Sequence, residues 1–356
     1  MKNIAFWIAV AAAIFFGAST PLSKPLLDNF TSYQLAGVLY LGACVGVLPL
    51  LIWERKLIAP WRMDRKNFLL LLGSVVFGGM LGPLALLAGL RMASAASVSM
   101  WLNLEVVATA VLGHLVFKDH LSRRGWLAVG GILLAAVILA GAEGQAGVGA
   151  GLMVALACLA WGLDNHFTAL IDGITPAQST FWKGLVAGGV NLTIGLSLAP
   201  ITGTGWHLLG GLGLGVFAYG LSIVLYIASA QQLGATRSQL IFSSAPFWGV
   251  LLSAAVLSEA ITIQQGAAGL LFLASIWLLT NEQHAHDHVH AAMCHEHPHD
   301  HHDEHHQHHP GEPAEGWHVH THEHLEINHN HCHQPDLHHR HGHTELYGET
   351  SPMKEL

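Results

Sequence analysis

Between His284 and His309 the chain reads HAHDHVHAAMCHEHPHDHHDEHHQHH, with a histidine at nearly every second or third position. Of its 28 histidines, 24 follow Thr280. Imidazole is a borderline ligand that suits Zn, Ni, Co and Cu, and with an unperturbed pKa near 6.5 it is largely neutral and able to ligate at neutral pH. In an extended chain His284, His286, His288 and His290 fall on one side, as do His318, His320, His322 and His324, with His295, His297 and His299 continuing the alternation. Asp287, Glu296, Asp300, Asp303 and Glu304 add anionic oxygens. The stretch LEINHNHCHQPDLHHRHGH (325–343) mixes Cys332 with His329, His331, His333, His338, His339, His341 and His343, and is the part expected to fold around a metal ion. A low-complexity tract that meets metal only incidentally is the competing reading; the length and near-periodicity of this one favour metal capture. HDEHH at 302–306 fits the HxxHH box of membrane di-iron enzymes. Such enzymes distribute their boxes between spans, whereas every match here falls in one tail, so an enzyme is not expected.

A second set of candidates lies in the apolar part of the chain, where an ionised group is costly unless paired or wetted. Glu105 falls mid-span, where a carboxylate could take up a proton or a cation; the bland alternative is a protonated Glu bonded to Asn103 or Ser99. WGLDNHFTAL brings Asp164, Asn165 and His166 together in sequence, but adjacent residues splay around a helix and cannot share one ligand unless it breaks. Asp164 and Lys183 form a plausible ion pair between successive spans. His114 lies nine residues after Glu105, on the opposite face of a helix with 3.6 residues per turn, and reads as interfacial, as do His120 and His207 near span ends. Asp119 and Glu259 close their helices and read as structural. Cys44 and Cys158 read as packing residues, Cys294 and Cys332 as possible metal ligands.

The elements that position these groups follow from composition. The chain is 52% hydrophobic and 11% charged over 356 residues, which excludes an ordinary soluble domain. A bilayer span needs about 20 mostly apolar residues. Ten stretches qualify: 4–26, 31–53, 68–91, 93–117, 126–144, 148–171, 176–200, 205–232, 235–257 and 262–280. Their links are too short for an extra soluble domain. The expected fold is an all-α membrane protein of two five-helix repeats, 1–144 and 145–280, followed by a tail at 281–356 too polar to bury a core and expected to be disordered without ligand.

MKNIAFWIAVAAAIFFGAST resembles a cleavable signal peptide, but cleavage would break an internal repeat. FFGAST (15–20) matches AWGLDN (160–165), and ASAASVSMWLNLEVVATAVLGHLVFKDHLS (93–122) matches ATRSQLIFSSAPFWGVLLSAAVLSEAIT (235–262). Five spans per copy is an odd number, so the second copy lies inverted, a transporter architecture in which two similar halves give states open to either side. Lys and Arg concentrate in the links that lie inside if the amino terminus is inside: Arg55, Lys56, Arg62, Arg65, Lys66, Lys118, Arg123, Arg124 and Arg237, against Lys24 and Arg91 outside. Both termini are therefore expected in the cytoplasm of a cell whose inner membrane holds the protein.

LNLEVVATAVLGHLVFKDHLS, with Glu105 and Asp119, and SSAPFWGVLLSAAVLSEAIT, with Pro246 and Glu259, resemble the EamA-type drug/metabolite transporter superfamily over residues 1–280. The family's Glu-Pro pair is split here into Glu105–Val106 and Ala245–Pro246, and Phe16 stands where Trp161 keeps the tryptophan before glycine. The resemblance implies a secondary carrier, often an exporter, and names no substrate. Joined to the tail, it leads to an expectation of proton-coupled efflux of divalent metal, Ni or Co first and Zn next. Glu105, Asn103, Asp164, Asn165, His166 and Lys183 are the candidate path. The alternatives are export of a small organic metabolite or metal chelate under control of the tail, and a membrane-anchored metal buffer. No tightly bound cofactor and no nucleic acid are expected; the bilayer, metal ions and a second copy of the chain are the candidate partners.

Overall fold

The computed structural model describes residues 2–55, 57–116, 123–171, 173–233, 241–280, 284–290, 293–299, 318–324 and 327–333. Up to Thr280 the regular elements among the described residues are all helices. Helices α1 (Lys2–Gly17) and α2 (Ser19–Leu26) form one broken run. They are followed by α3 (Ser32–Glu54), α4 (Arg65–Ser74), α5 (Gly82–Met92), α6 (Ala95–Trp101), α7 (Leu104–Val116) and α8 (Arg123–Ala142). The rest of the bundle is α9 (Gly144–Leu170), α10 (Pro176–Leu198), α11 (Gly205–Gly215), α12 (Ser222–Leu233), α13 (Ala245–Leu257) and α14 (Ile263–Thr280). Among the described residues, seven continuous runs are long and apolar enough to cross a membrane: 4–26, 32–54, 65–92, 95–116, 123–142, 144–168 and 205–227. α10 has 23 residues, and the apolar helices 245–257 and 263–278 are shorter.

Short polar links start several helices. Thr31 and Gln34 form a reciprocal capping box on α3, and the Asp64 carboxylate accepts the amides of Lys66 and Asn67 at the start of α4. Those bonds and the one from the Asn67 side chain hold the Asp64 carboxyl below the usual carboxylate range. Each satisfies backbone donors that a helix start leaves free.

Glycine lets α3 sit between two partners. On α10, a Cβ at Gly184 would come within 2.7 Å of the Tyr40 carbonyl, and one at Gly188 within 2.8 Å of the Leu41 nitrogen. On the other side, a Cβ at Gly215 would lie 2.1 Å from the Leu39 carbonyl, and one at Gly42 lies 2.3 Å from that of Leu212. Small residues at such crossings let helix backbones approach, which drives association where lipid removes the hydrophobic force. Gly215→Ala is therefore expected to cost about 1–3 kcal/mol through overpacking against main chain. A thermal melt in detergent checks this, with Gly213→Ala, where a Cβ meets nothing within 4 Å, expected to melt as the parent does.

The runs are interrupted at matching places in the two halves. Wide π turns occupy Val75–Leu81, between α4 and α5, and Val216–Leu221, between α11 and α12. The run of α6 and α7 opens at Leu102–Asn103, and a turn at 243–244 precedes α13. α1 yields to α2 at Ala18, just before Pro21, whereas its repeat counterpart within α9 runs unbroken; Pro21 has no N–H to return to the Gly17 carbonyl.

Four segments of the tail are described as strands. β1 (His284–His290) pairs antiparallel with β4 (Ile327–His333), and β2 (Met293–His299) with β3 (His318–His324). The reason lies in the alternation itself: a strict two-residue period is the period of a strand, so His-x-His stretches can ladder with one another without a core.

Candidate transport site in the helix bundle

Two polar clusters meet on α9, and adjacent side chains send them to different neighbours. Asp164 faces α4 and α10. Its carboxylate accepts Lys183 Nζ at 2.7 and 2.6 Å, Ser74 Oγ at 2.5 Å and Thr168 Oγ1 at 3.1 Å. The side chains of Lys183 and Asp164 are 15% and 13% exposed, so the pair is largely withdrawn from solvent and the extra hydroxyls complete the shell that a buried carboxylate requires.

The π turn at Val75–Leu81 makes room for this pair. A Cβ at Gly78 would lie 2.1 Å from Asp164 Oδ2, so only glycine fits beside the carboxylate. π turns divert backbone carbonyls from the regular ladder and recur at functional sites. Here side chains collect them: the Gly78 carbonyl accepts Tyr40 Oη at 2.5 Å and Trp161 Nε1 at 3.1 Å, and the Gly79 carbonyl accepts Asn191 Nδ2 at 3.1 Å. α3, α9 and α10 are thus pinned to one deformable turn.

Asn165 and His166 face α7 instead. Asn165 Nδ2 donates to Glu105 Oε1 at 3.0 Å and to Thr109 Oγ1 at 3.2 Å, while His166 Nε2 lies 3.1 Å from the Thr109 carbonyl. Glu105 is therefore held by Asn165, not by the Asn103 or Ser99 that its own helix run suggested. Asn103 Nδ2 bonds the Met100 carbonyl at 2.8 Å where the helix opens. Glu105 is half-buried and Asn165 exposed, so the carboxylate is not sealed away from its surroundings. Cys158 is buried with its Sγ against the carbonyls of Trp101 and Leu102, 3.8 and 3.9 Å away, where it fills the same opening.

Aromatic rings line the middle of the bundle. Tyr40 and Tyr219 stand 5.5 Å apart, Phe16 meets Tyr219 at 6.1 Å and Phe242 at 5.5 Å, and Tyr226 meets Phe242 at 4.9 Å. His114 stacks edge-on to Trp126 at 5.6 Å, away from Glu105.

A third polar group ties one end of the bundle. Both Glu259 oxygens accept amides that open α6, Ala95 N and Ala96 N, each at 2.9 Å. Glu143 accepts the hydroxyls of Ser94 and Ser97, Gln265 Nε2 reaches Ser97 Oγ at 3.0 Å, and Lys24 Nζ donates to the carbonyls of Leu90 and Ala93 at 2.5 and 2.6 Å. Glu259 closes its own helix and caps a distant one, a role with the helix dipole in its favour. Asp119, its counterpart in the first repeat, lies outside the described residues, as does His120.

Among the described residues no group of three or more His, Cys, Asp and Glu stands together as a metal site. Asp164 lies in one hydrogen-bond set, and Glu105 and His166 lie in the other, both reaching Thr109 or its partner Asn165. In the tail the backbone register opposes His284 to His333, His286 to His331 and His288 to His329, and in the second ribbon His295 to His322, His297 to His320 and His299 to His318. In the same register His290 is paired with Ile327, Met293 with His324 and Cys332 with Ala285. His338, His339, His341 and His343 lie outside the described residues.

A family model described as the EamA-like transporter family matches residues 3–141 and again 149–281. An uncharacterized transporter of Methanothermobacter thermautotrophicus is 28% identical over 293 residues, covering 76% of this chain and 84% of the relative. A solved structure described only as a crystal structure of a protein shares the fold with TM-score 0.56 and 14% identity, over 78% of this chain and 96% of its own. With both halves matched in turn, the chain belongs to the EamA-like transporter family.

Proposed function

We propose that the protein is a ten-span secondary carrier built of two inverted repeats, and that it exports divalent transition metal from the cytoplasm in exchange for protons. Ni and Co come first and Zn next, because imidazole-rich sites suit all three. The π turns and helix openings at matching places in both halves support the repeat, since discontinuous helices mark the midplane site of such carriers. Glu105 is the proton-carrying group, with Asn165 as its positioning partner. The asymmetry of Lys and Arg supports cytoplasmic termini in an inner membrane.

The observation that carries the metal reading is the tail's backbone register: six cross-strand pairings of histidine with histidine, three in each ribbon. Directly opposed residues of an antiparallel pair have Cβ atoms about 4.5–5.5 Å apart, a spacing from which two imidazoles can reach one ion. The tail then concentrates metal at the inner mouth. A chain ended at Thr280 is expected to keep transport at saturating metal and to raise the half-saturating concentration about tenfold or more, the tail acting through effective concentration. Initial rates against metal concentration in inside-out vesicles check this; identical curves for both chains would remove the capture role.

A second reading keeps the carrier and makes the cargo a small organic molecule, with the metal-loaded tail as its gate. It is favoured by the aromatic rings around Tyr40 and Tyr219 and by the internal neutralisation of Asp164 by Lys183. Transport of organic solutes that tracks metal occupancy of the tail, with no metal flux, would select it.

A further inference from the structure

We propose that the carrier has a separate site for a small hard monovalent cation, Na+, between the α1–α2 break and the run of α6 into α7. The site goes beyond the metal and proton reading and does not depend on it.

Three side chains here are nearly inaccessible and carry an oxygen with no hydrogen-bond partner. Thr20, Ser99 and Asn103 are each 1% exposed, and Thr20 Oγ1, Ser99 Oγ and Asn103 Oδ1 are unsatisfied. Such atoms cost free energy in a buried setting unless something meets them. Ser99 and Asn103 flank the end of α6, where the Leu102 and Asn103 amides turn back on the carbonyls of Ser99 and Met100, and Gly17 and Thr20 flank the break between α1 and α2. α2 packs on α6, and Gly249 of α13 marks where the two converge: a Cβ there would lie 2.6 Å from Ser99 Oγ and 3.0 Å from the Gly17 carbonyl oxygen. Pro21 cannot donate an N–H to that carbonyl.

The donor set selects the ligand. Asn103 has committed its Nδ2 to Met100, so the side-chain group it leaves free is an oxygen, and the unpartnered side-chain groups are one amide oxygen and two hydroxyls, with the Gly17 carbonyl beside them. Oxygen sets of this kind suit hard cations and offer nothing to a borderline metal that prefers imidazole or thiolate. Unwound backbone and the carboxyl ends of half-helices hold alkali ions in carriers built of repeats, and both α1 and α6 end here. Glu105, two residues beyond Asn103, is the nearest acidic residue in sequence and gives a route by which cation occupancy and the proton-carrying group influence each other.

The test uses the full chain purified in detergent, melted in NaCl, KCl and choline chloride at equal ionic strength. Na+ is expected to raise Tm in a saturable way, by several degrees, with little effect of K+ or choline. Ser99→Ala and Thr20→Val should lose the Na+ response while Thr20→Ser keeps it. Ser179→Ala, which removes another unpartnered hydroxyl on α10, should respond as the parent does. Equal melting in the three salts, or an undiminished Na+ response in both Ser99→Ala and Thr20→Val, would overturn the site and assign these oxygens to buried water. The melt does not depend on transport, so failure here leaves the metal reading standing, and failure of metal flux leaves this site standing.

Discussion

Glu105→Gln is expected to lower coupled transport at least about a hundredfold, the scale of losing a positioned proton-transfer group. The substitution keeps an acceptor for Asn165 Nδ2, which lies 3.0 Å from Glu105 Oε1, so the helix pair α7–α9 stays joined and the protein should fold. What it removes is the ability to change charge. Metal binding by the tail should be unaffected, since Glu105 is not one of its proposed ligands. Asn165→Ala is the milder companion: Glu105 remains ionisable but loses the Asn165 donor, and the pH dependence of flux should shift while the maximal rate is partly kept. Flux and tail binding measured together on both variants check the assignment; unchanged flux in Glu105→Gln would end Glu105's role as proton carrier.

The second large effect is expected at the pair Asp164–Lys183. Asp164→Asn leaves the Lys183 ammonium without a counter-charge in a largely buried position, and Lys183→Met leaves the carboxylate with hydroxyls alone. Breaking a buried pair from one side costs about 3–5 kcal/mol, so each single variant should give little folded protein. The double variant Asp164→Asn with Lys183→Met removes both charges and should recover much of the folded yield, because the loss in the singles comes from the orphaned partner. If the pair moves during transport, the recovered double variant will bind metal at its tail yet carry no cargo. Size-exclusion profiles and melts of the four proteins give the coupling; additive losses would show that the two residues act independently.

Much of this arrangement follows from the residues alone. An aspartate and a lysine inside adjacent apolar runs have few alternatives to each other, so the pairing of Asp164 with Lys183 can be read before any coordinates. The splaying of Asp164, Asn165 and His166 follows equally from helix geometry, and α9 is unbroken. The partner of Glu105 does not follow: Asn103 and Ser99 lie on its own run, but the opening at Leu102–Asn103 turns them away and Asn165 arrives from a helix sixty positions later. Ser74, Tyr40 and Gly78 carry no signal in an apolar run rich in small residues, because their importance depends on a π turn that no periodicity announces. In the tail the alternation gives away strand-like geometry but not the partner, since every His-x-His stretch fits every other equally well. The dual role of Glu259, closing α13 and capping α6, is likewise visible only once the ends of distant helices are side by side.

The central claim is that divalent metal is the cargo. Inside-out vesicles holding the full-length protein, energised with a pH gradient and offered Ni, Co or Zn, test it most directly, because accumulation there corresponds to export from the cell. The account predicts accumulation that depends on the protein, collapses when the gradient is dissipated and is absent in Glu105→Gln. No accumulation of any of the three metals, by protein whose tail still binds them, would contradict it and direct the search to organic cargo.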